Sequence, residues 1–237
     1  MKKLSGKWAL VTGSARGIGQ QIAMGLAEHG CNIILHGRHE NNLDATLDRL
    51  QQFDVQIRKV AGDLGTERDV QAIIHAVAEA AVPVDILYNN AAVLNPWQSI
   101  WDVPMLEWHR VLQINLMAVI ELTNAFVPAM KLRGYGRVIN LTSGIKDTPH
   151  LSPYGVSKAA LDKYSLDLSV ELAGSNVLVN TVDPGWLRTD LGGPNADHGV
   201  DTVLPGALVP ALLEDHGPSG QRYSAQEYRM ADALHAA

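Results

Sequence analysis

Short unbroken apolar runs alternate along this chain with longer windows in which apolar residues return every three or four positions. Trp8-Ala9-Leu10-Val11 is the first run, the pattern of a strand covered on both faces. Residues 17–29 follow as a helix, with Ile18, Ile22 and Leu26 on one face and Gly30 as its stop. The same reading predicts strands over 31–35, 55–60, 85–88, 137–141 and 177–182. It predicts helices over 43–51, 70–80, 105–114, 116–132 and 154–173, with Pro128 interrupting the fourth. Strands and helices keep alternating with no tether, repeat or charge run between them. The expected class is therefore α/β: a single doubly wound parallel sheet with helices on both faces, forming one domain over residues 1–237. Residues 185–198, rich in Gly, Pro and Asp and placed just after a strand, are expected to form a loop over the ligand crevice.

Composition narrows the function. Hydrophobic residues make up 46% and charged residues 19%, and 19 Lys plus Arg stand against 25 Asp plus Glu, giving a net charge of −6. An acidic chain without a basic block is poorly suited to a phosphate backbone, so no nucleic-acid partner is expected. The apolar runs read as too short for a membrane span or a signal-peptide core, so no membrane association is expected. Cys31 is the single cysteine; a reduced, cytoplasmic compartment is the default. The 9 His residues lack metal-ligand spacing, and no metal is expected.

Thr12-Gly13-Ser14-Ala15-Arg16-Gly17-Ile18-Gly19 joins the first strand to the first helix. In this reading Gly13 makes the turn, Gly17 lets backbone approach a pyrophosphate, and Gly19 packs the helix on the strand. The phosphates would meet the helix N-terminus. The Gly-x3-Gly-x-Gly spacing is wider than the common dinucleotide fingerprint, and a purely structural turn is the alternative. The second strand ends His36-Gly37-Arg38 with no carboxylate before Glu40. Arg38 and Arg16 therefore suit a 2′-phosphate, favouring NADP(H) over NAD(H), unless both are ordinary surface arginines. Asp63, beside Leu64, is either a partner for an adenine amino group or an acid at a helix start.

Tyr154 and Lys158 are four apart at the start of a helix, hence on one face. A neighbouring ammonium lowers a phenol toward neutrality, fitting it to exchange a proton with a carbonyl oxygen. Ser143, just past the fifth strand, either hydrogen-bonds the reacting oxygen or caps a turn. Asn115 either bridges through water to Lys158 or fills a helix bend. Trp97, Trp101, His150, Leu151, Trp186 and Leu191 lie near strand ends; they read as a partly apolar pocket or as ordinary core.

Taken together, the glycine loop, Asn89-Asn90-Ala91-Ala92, Asn115, Ser143, Tyr154-x3-Lys158 and Pro184-Gly185 resemble the short-chain dehydrogenase/reductase family over essentially the whole chain. That resemblance implies a Rossmann fold and an oxidoreductase that moves hydride between nicotinamide and a ketone, aldehyde or secondary alcohol. It implies Tyr154 as general acid/base and Ser143 as carbonyl orienter. Lys158 would sit on the nicotinamide ribose and depress the Tyr154 pKa, and Asn115 would hold a relay water. Asn89, Asn90 and Ala91 would support the central sheet and touch adenosine, and Pro184, Gly185 and Thr189 would lie at the nicotinamide end. Ala92 stands where the family usually has Gly, and Ser143 and Tyr154 are 11 residues apart, slightly short for the family. Pro184-Gly185-Trp186-Leu187-Arg188-Thr189-Asp190 and Gly217-Pro218-Ser219-Gly220 are similar to the carbonyl-reductase-like branch. The resemblance also implies a homotetramer or homodimer. The alternatives are a 3-oxoacyl-thioester reductase, an NAD(H)-dependent sugar or alcohol dehydrogenase, and a catalytically silent NADP(H)-binding sensor.

Overall fold

A computed structural model describes residues 3–228; the ends of the expected domain, 1–2 and 229–237, lie outside the described residues. Seven strands are described: β1 Trp8–Val11, β2 Asn32–Gly37, β3 Ile57–Ala61, β4 Ile86–Asn89, β5 Gly136–Leu141, β6 Val177–Asp183 and β7 Arg222–Ser224. They form one sheet in the order β3-β2-β1-β4-β5-β6-β7, every neighbouring pair parallel. Six α-helices connect them: α1 Gly17–Glu28, α2 Asp44–Leu50, α3 Glu67–Glu79, α4 Met105–Leu112, α5 Ala118–Arg133 and α6 Ser152–Glu171. The order reverses between β1 and β4, which opens a crevice at the carboxyl ends of those two strands. This is the expected doubly wound α/β architecture.

The alternation within each strand builds two cores. Ala9, Val11, Ile33, Leu35, Ile86, Tyr88 and Ile139 face α1 and α2, where Ile22, Leu26 and Leu50 meet them. Trp8, Leu10, Ile34, Leu87 and Val138 face the other way, onto Val70 and Ile73 of α3 and Leu122 and Met130 of α5. Period-two side chains on a sheet covered on both faces produce this pattern. Each fully buried Leu or Ile contributes about 1.5–3 kcal/mol relative to exposure.

Three expectations change. First, α5 runs through Pro128 rather than being interrupted. Pro128 and Asn124 lie on the exposed side, so the carbonyl left without an N–H partner faces water. Second, the two helical windows form one run, Met105–Arg133, joined by a π turn at Gln113–Met117. That run is long and apolar enough to cross a membrane by length and composition. Its buried positions, including Val111, Leu122, Phe126 and Met130, pack inside the protein as a core helix does. Third, the sequence reading contained no strand at 222–224. Arg-Tyr-Ser is too short and polar to carry an apolar signal; β6 supplies the template by pairing Thr181, Val182 and Asp183 with Arg222, Tyr223 and Ser224.

Candidate active site at the carboxyl edge of the sheet

The glycine loop fills the crevice between β1 and β4. Thr12 Oγ1 donates to the Tyr88 carbonyl at 3.2 Å and accepts from the Asn90 and Ala91 amides at 3.0 and 3.1 Å. Asn90 returns the contact, its amide group donating to the Thr12 and Gly13 carbonyls at 2.8 and 3.2 Å. Asn89 donates to the Asn140 side chain at 2.8 Å, tying β4 to β5. Gly19 allows the close approach: a Cβ there would lie 2.3 Å from the Gly13 carbonyl oxygen. Ser14 is fully buried and exchanges hydrogen bonds with the His36 backbone at 2.9 and 3.3 Å.

Two residues absent from the expected set hold this loop. The buried Thr46 hydroxyl donates to the Ser14 and Ala15 carbonyls at 2.9 and 3.0 Å. His36 is 2% exposed; its Nδ1 accepts from the Gly13 amide at 3.2 Å, and its Nε2 faces the Gly62 carbonyl at 3.2 Å. One partner is a donor and the other an acceptor, so the proton belongs on Nε2. Burial lowers the His36 pKa to about 4 despite the Gly62 hydrogen bond and nearby Asp63, which keeps the ring neutral. A polar ring closing the apolar strand Asn-Ile-Ile-Leu-His-Gly was the available sequence signal.

The first turn of α1, with Gly17, Ile18 and Gly19, has no side-chain cap and no acidic residue. Its amides are therefore open to an anion where the helix end is positive. A dinucleotide pyrophosphate fits this cradle. Arg38 is exposed at the end of β2 and makes no ion pair among the described residues. Arg16 is exposed and bridges to Asp190 at 2.7 Å, so the loop of residues 185–198 reaches across to the glycine loop. Thr189 Oγ1 accepts from the Gly192 amide at 3.0 Å, the Gly185 amide donates to Asp183 at 3.0 Å, and the Pro184 carbonyl accepts from Gln226 at 2.7 Å. Asp63 accepts from the Gly65 amide at 2.9 Å beside buried Leu64.

Past β5, the Ser143 hydroxyl lies close enough to the Tyr154 phenol to lower its pKa, so the 11-residue separation still brings the pair together. Ser143 Oγ also accepts from the Ile145 amide at 3.2 Å. Lys158 is 3% exposed, with Nζ 5.8 Å from the Tyr154 ring centre and donating to the Leu141 carbonyl at 2.7 Å. Burial lowers its pKa to about 8, opposed by Asp162. The Tyr154 pKa lies above the usual phenol value: burial raises it most, the Ser143 hydroxyl opposes, and Asp183 adds to the rise. The expected lowering by Lys158 does not set the direction here, because desolvation outweighs attraction to an ammonium 5.8 Å from the ring centre. The phenol is neutral at pH 7 and ready to donate.

Asn115 is fully buried, its amide group donating to the Val93 carbonyl and Ser157 hydroxyl at 3.0 Å each and its oxygen accepting from the Val93 amide at 2.9 Å. These side-chain bonds tie the π turn to the stretch after β4 and to α6. Trp97 stacks on His150, ring centres 4.9 Å apart and planes 3° from parallel. Trp97, Trp101, Trp186 and Leu191 are exposed, so they rim the surface near these strand ends and do not belong to the core.

Residues 7–198 match the family model described as short chain dehydrogenase. The chain is a short-chain dehydrogenase. Dehydrogenase/reductase SDR family member 4 from Bos taurus is 37% identical over 188 residues, 78% of this chain and 67% of that protein. The oxidoreductase YvaG of Bacillus subtilis is 37% identical over 205 residues, 85% and 73% of the two chains. Among solved structures, a 3-oxoacyl (acyl-carrier-protein) reductase from Agrobacterium tumefaciens with NADP bound superposes with TM-score 0.84 at 28% identity, covering 93% of each chain. An NAD+-bound xylitol dehydrogenase superposes with TM-score 0.84 at 25% identity, covering 94% of this chain and 98% of that one. This short-chain dehydrogenase is therefore an enzyme of nicotinamide-dependent oxidation and reduction.

Proposed function

We propose that the chain is an NADP(H)-dependent oxidoreductase, carbonyl-reductase-like, interconverting a ketone or aldehyde and its alcohol with Tyr154 as general acid/base. The observation that carries this reading is a neutral Tyr154 phenol beside Ser143, with the Lys158 ammonium on the same helix face, next to an uncapped phosphate cradle. Gly13, Ser14, Arg16, Gly17, Ile18 and Gly19 would hold the pyrophosphate. Asp63, Leu64, Asn90 and Ala91 would flank adenosine, and Lys158, Pro184, Gly185 and Thr189 the nicotinamide riboside. Arg38 would grip the 2′-phosphate; Arg16 would have to share its guanidinium with Asp190, so Arg38 carries the cofactor preference. A bound nicotinamide cofactor supplies or accepts the hydride.

The chain's own groups handle the proton. Ser143 donates to the carbonyl oxygen and aligns it, Tyr154 transfers its proton to that oxygen, and the phenolate left behind is stabilised by the Lys158 ammonium. Lys158 is mostly protonated at pH 7, since its pKa is about 8. Asn115 fixes the floor beneath them. The exposed rim of Trp97, Trp101, Trp186 and Leu191 favours a partly apolar carbonyl over a polyol.

We further propose one functional domain over residues 1–237, a cytoplasmic location consistent with the single buried cysteine Cys31, and self-association as a tetramer or dimer. Exposed Leu166 and Val170 on α6 and Leu132 at the end of α5 support the last of these. The test is turnover with NADPH and with NADH against diketones, simple ketones, 3-oxoacyl thioesters and polyols. NADPH-driven reduction of apolar carbonyls is expected. Cofactor binding with no turnover anywhere would favour a sensor, and NAD+-driven polyol oxidation would favour a sugar dehydrogenase.

A further inference from the structure

Behind the Ser143–Tyr154 pair lies an arrangement of three charges that the proposed chemistry leaves unused. Arg222, on the edge strand β7, reaches Asp183 at the end of β6 through Nη2 at 3.3 Å and Asp162 on α6 through Nη1 at 3.4 Å. Asp162 is one helical turn beyond Lys158, and its other carboxylate oxygen is buried without a hydrogen-bond partner among the described residues. Asp183 presses on the turn that carries Ser143. A Cβ on Gly144 would meet its Oδ2 at 2.5 Å and would lie 3.7 Å from Arg222 Nη2. The second oxygen of Asp183 accepts from the Gly185 amide at 3.0 Å. One guanidinium thus pins two carboxylates, each adjoining one member of the Tyr154–Lys158 couple.

We propose that Arg222 is a positioning residue for proton transfer: it holds Asp183 against the Ser143–Gly144 turn and cancels the negative charge that Asp183 and Asp162 project onto Tyr154 and Lys158. The inference rests on the reading of Tyr154 as the proton donor. The groups around Tyr154 define the balance. Its own helix supplies Lys158 and Asp162, the end of β5 supplies the neutral Ser143, and β6 and β7 supply Asp183 and Arg222. The turn before α6 supplies His150, stacked on Trp97. On α4, Glu107 and Arg110 are paired with each other at 2.8 Å, Arg110 also donating to the Leu94 carbonyl. Among the described residues Asp183 is therefore the one carboxylate that acts on Tyr154 directly, and it raises the phenol pKa; Asp162 acts on the lysine in the same direction. Removing Arg222 leaves both negative charges uncompensated.

The experiment is an ultraviolet titration of the Tyr154 phenolate, read as the difference between each background and the same background carrying Tyr154→Phe, so that it requires no turnover. Arg222→Gln should move the midpoint up by about half a pH unit to one unit, and Asp183→Asn should move it down by a similar amount. The double variant should return to the wild-type midpoint or below it, and Arg222→Lys should stay near wild type. In alcohol oxidation below the midpoint, Arg222→Gln should lose about threefold to tenfold in kcat/KM. An unchanged midpoint in folded Arg222→Gln, or a loss of rate uniform across pH, overturns the proposal. If Arg222→Gln does not fold, Asp183→Asn decides alone: a lowered midpoint supports the link and an unchanged one refutes it. A wild-type protein that shows these shifts yet turns over no carbonyl or alcohol contradicts the oxidoreductase reading and leaves the electrostatic link standing.

Discussion

At the scale of single residues, the site is governed by desolvation more than by attraction between neighbours. Lys158 and Tyr154 share a helix face as their spacing requires. Even so, burial sets the direction of both pKa values, lowering the amine to about 8 and raising the phenol. The kinetic consequence is that kcat/KM for carbonyl reduction in the free enzyme should decline as pH rises through about 8, where Lys158 loses its proton; a profile flat through that point would contradict the role given to the ammonium. Arg38 makes a separate prediction. A charge-assisted contact to a 2′-phosphate contributes about 1.5–3 kcal/mol, so Arg38→Asp should raise the KM for NADPH roughly tenfold to a hundredfold while that for NADH changes little. Equal losses for both cofactors in steady-state kinetics would remove the 2′-phosphate role.

At the scale of elements, the glycine loop is held from outside its own sequence. Thr46 on α2 satisfies two of its carbonyls and Gln20 donates to the same hydroxyl at 2.8 Å. Thr46→Val keeps the shape but leaves those groups unpaired in a dry place. The expected cost is about 1–3 kcal/mol in chemical denaturation, with weaker cofactor binding; an unchanged midpoint and affinity would show that the loop stands alone. These supports explain what the sequence disclosed. Strands such as Trp8–Val11 and the Tyr154-x3-Lys158 spacing are local patterns, and period and turn chemistry reveal them. His36, Thr46 and Arg222 act across 23, 32 and 39–60 residues of chain, and no local pattern announces such partners. The π turn at Asn115 and the strand β7 were hidden for the same reason: tertiary contacts create them.

For the molecule as a whole, the buried neutral His36 couples fold stability to pH. Its folded pKa is about 4, against 6.5 for an unhindered imidazole. Between those values the unfolded chain binds a proton that the native protein refuses, so stability falls as pH drops from about 6.5 to about 4. The full contribution is about 3 kcal/mol. Thermal unfolding of wild type and His36→Gln across that window should show a shallower acid slope in the variant; parallel slopes would mean that His36 is not the group responsible. The exposed apolar positions on α5 and α6 predict a mass above that of one chain in size-exclusion chromatography, and elution as a monomer would refute self-association.

The most direct test of the central claim compares wild type with Tyr154→Phe, measuring NADPH oxidation in the presence of a carbonyl substrate alongside NADPH binding by fluorescence. Losing a general acid costs a hundredfold to ten-thousandfold as a rough range. The account predicts a fall in kcat of that order with cofactor affinity unchanged within about threefold. Retention of the wild-type rate by the phenylalanine variant would contradict it.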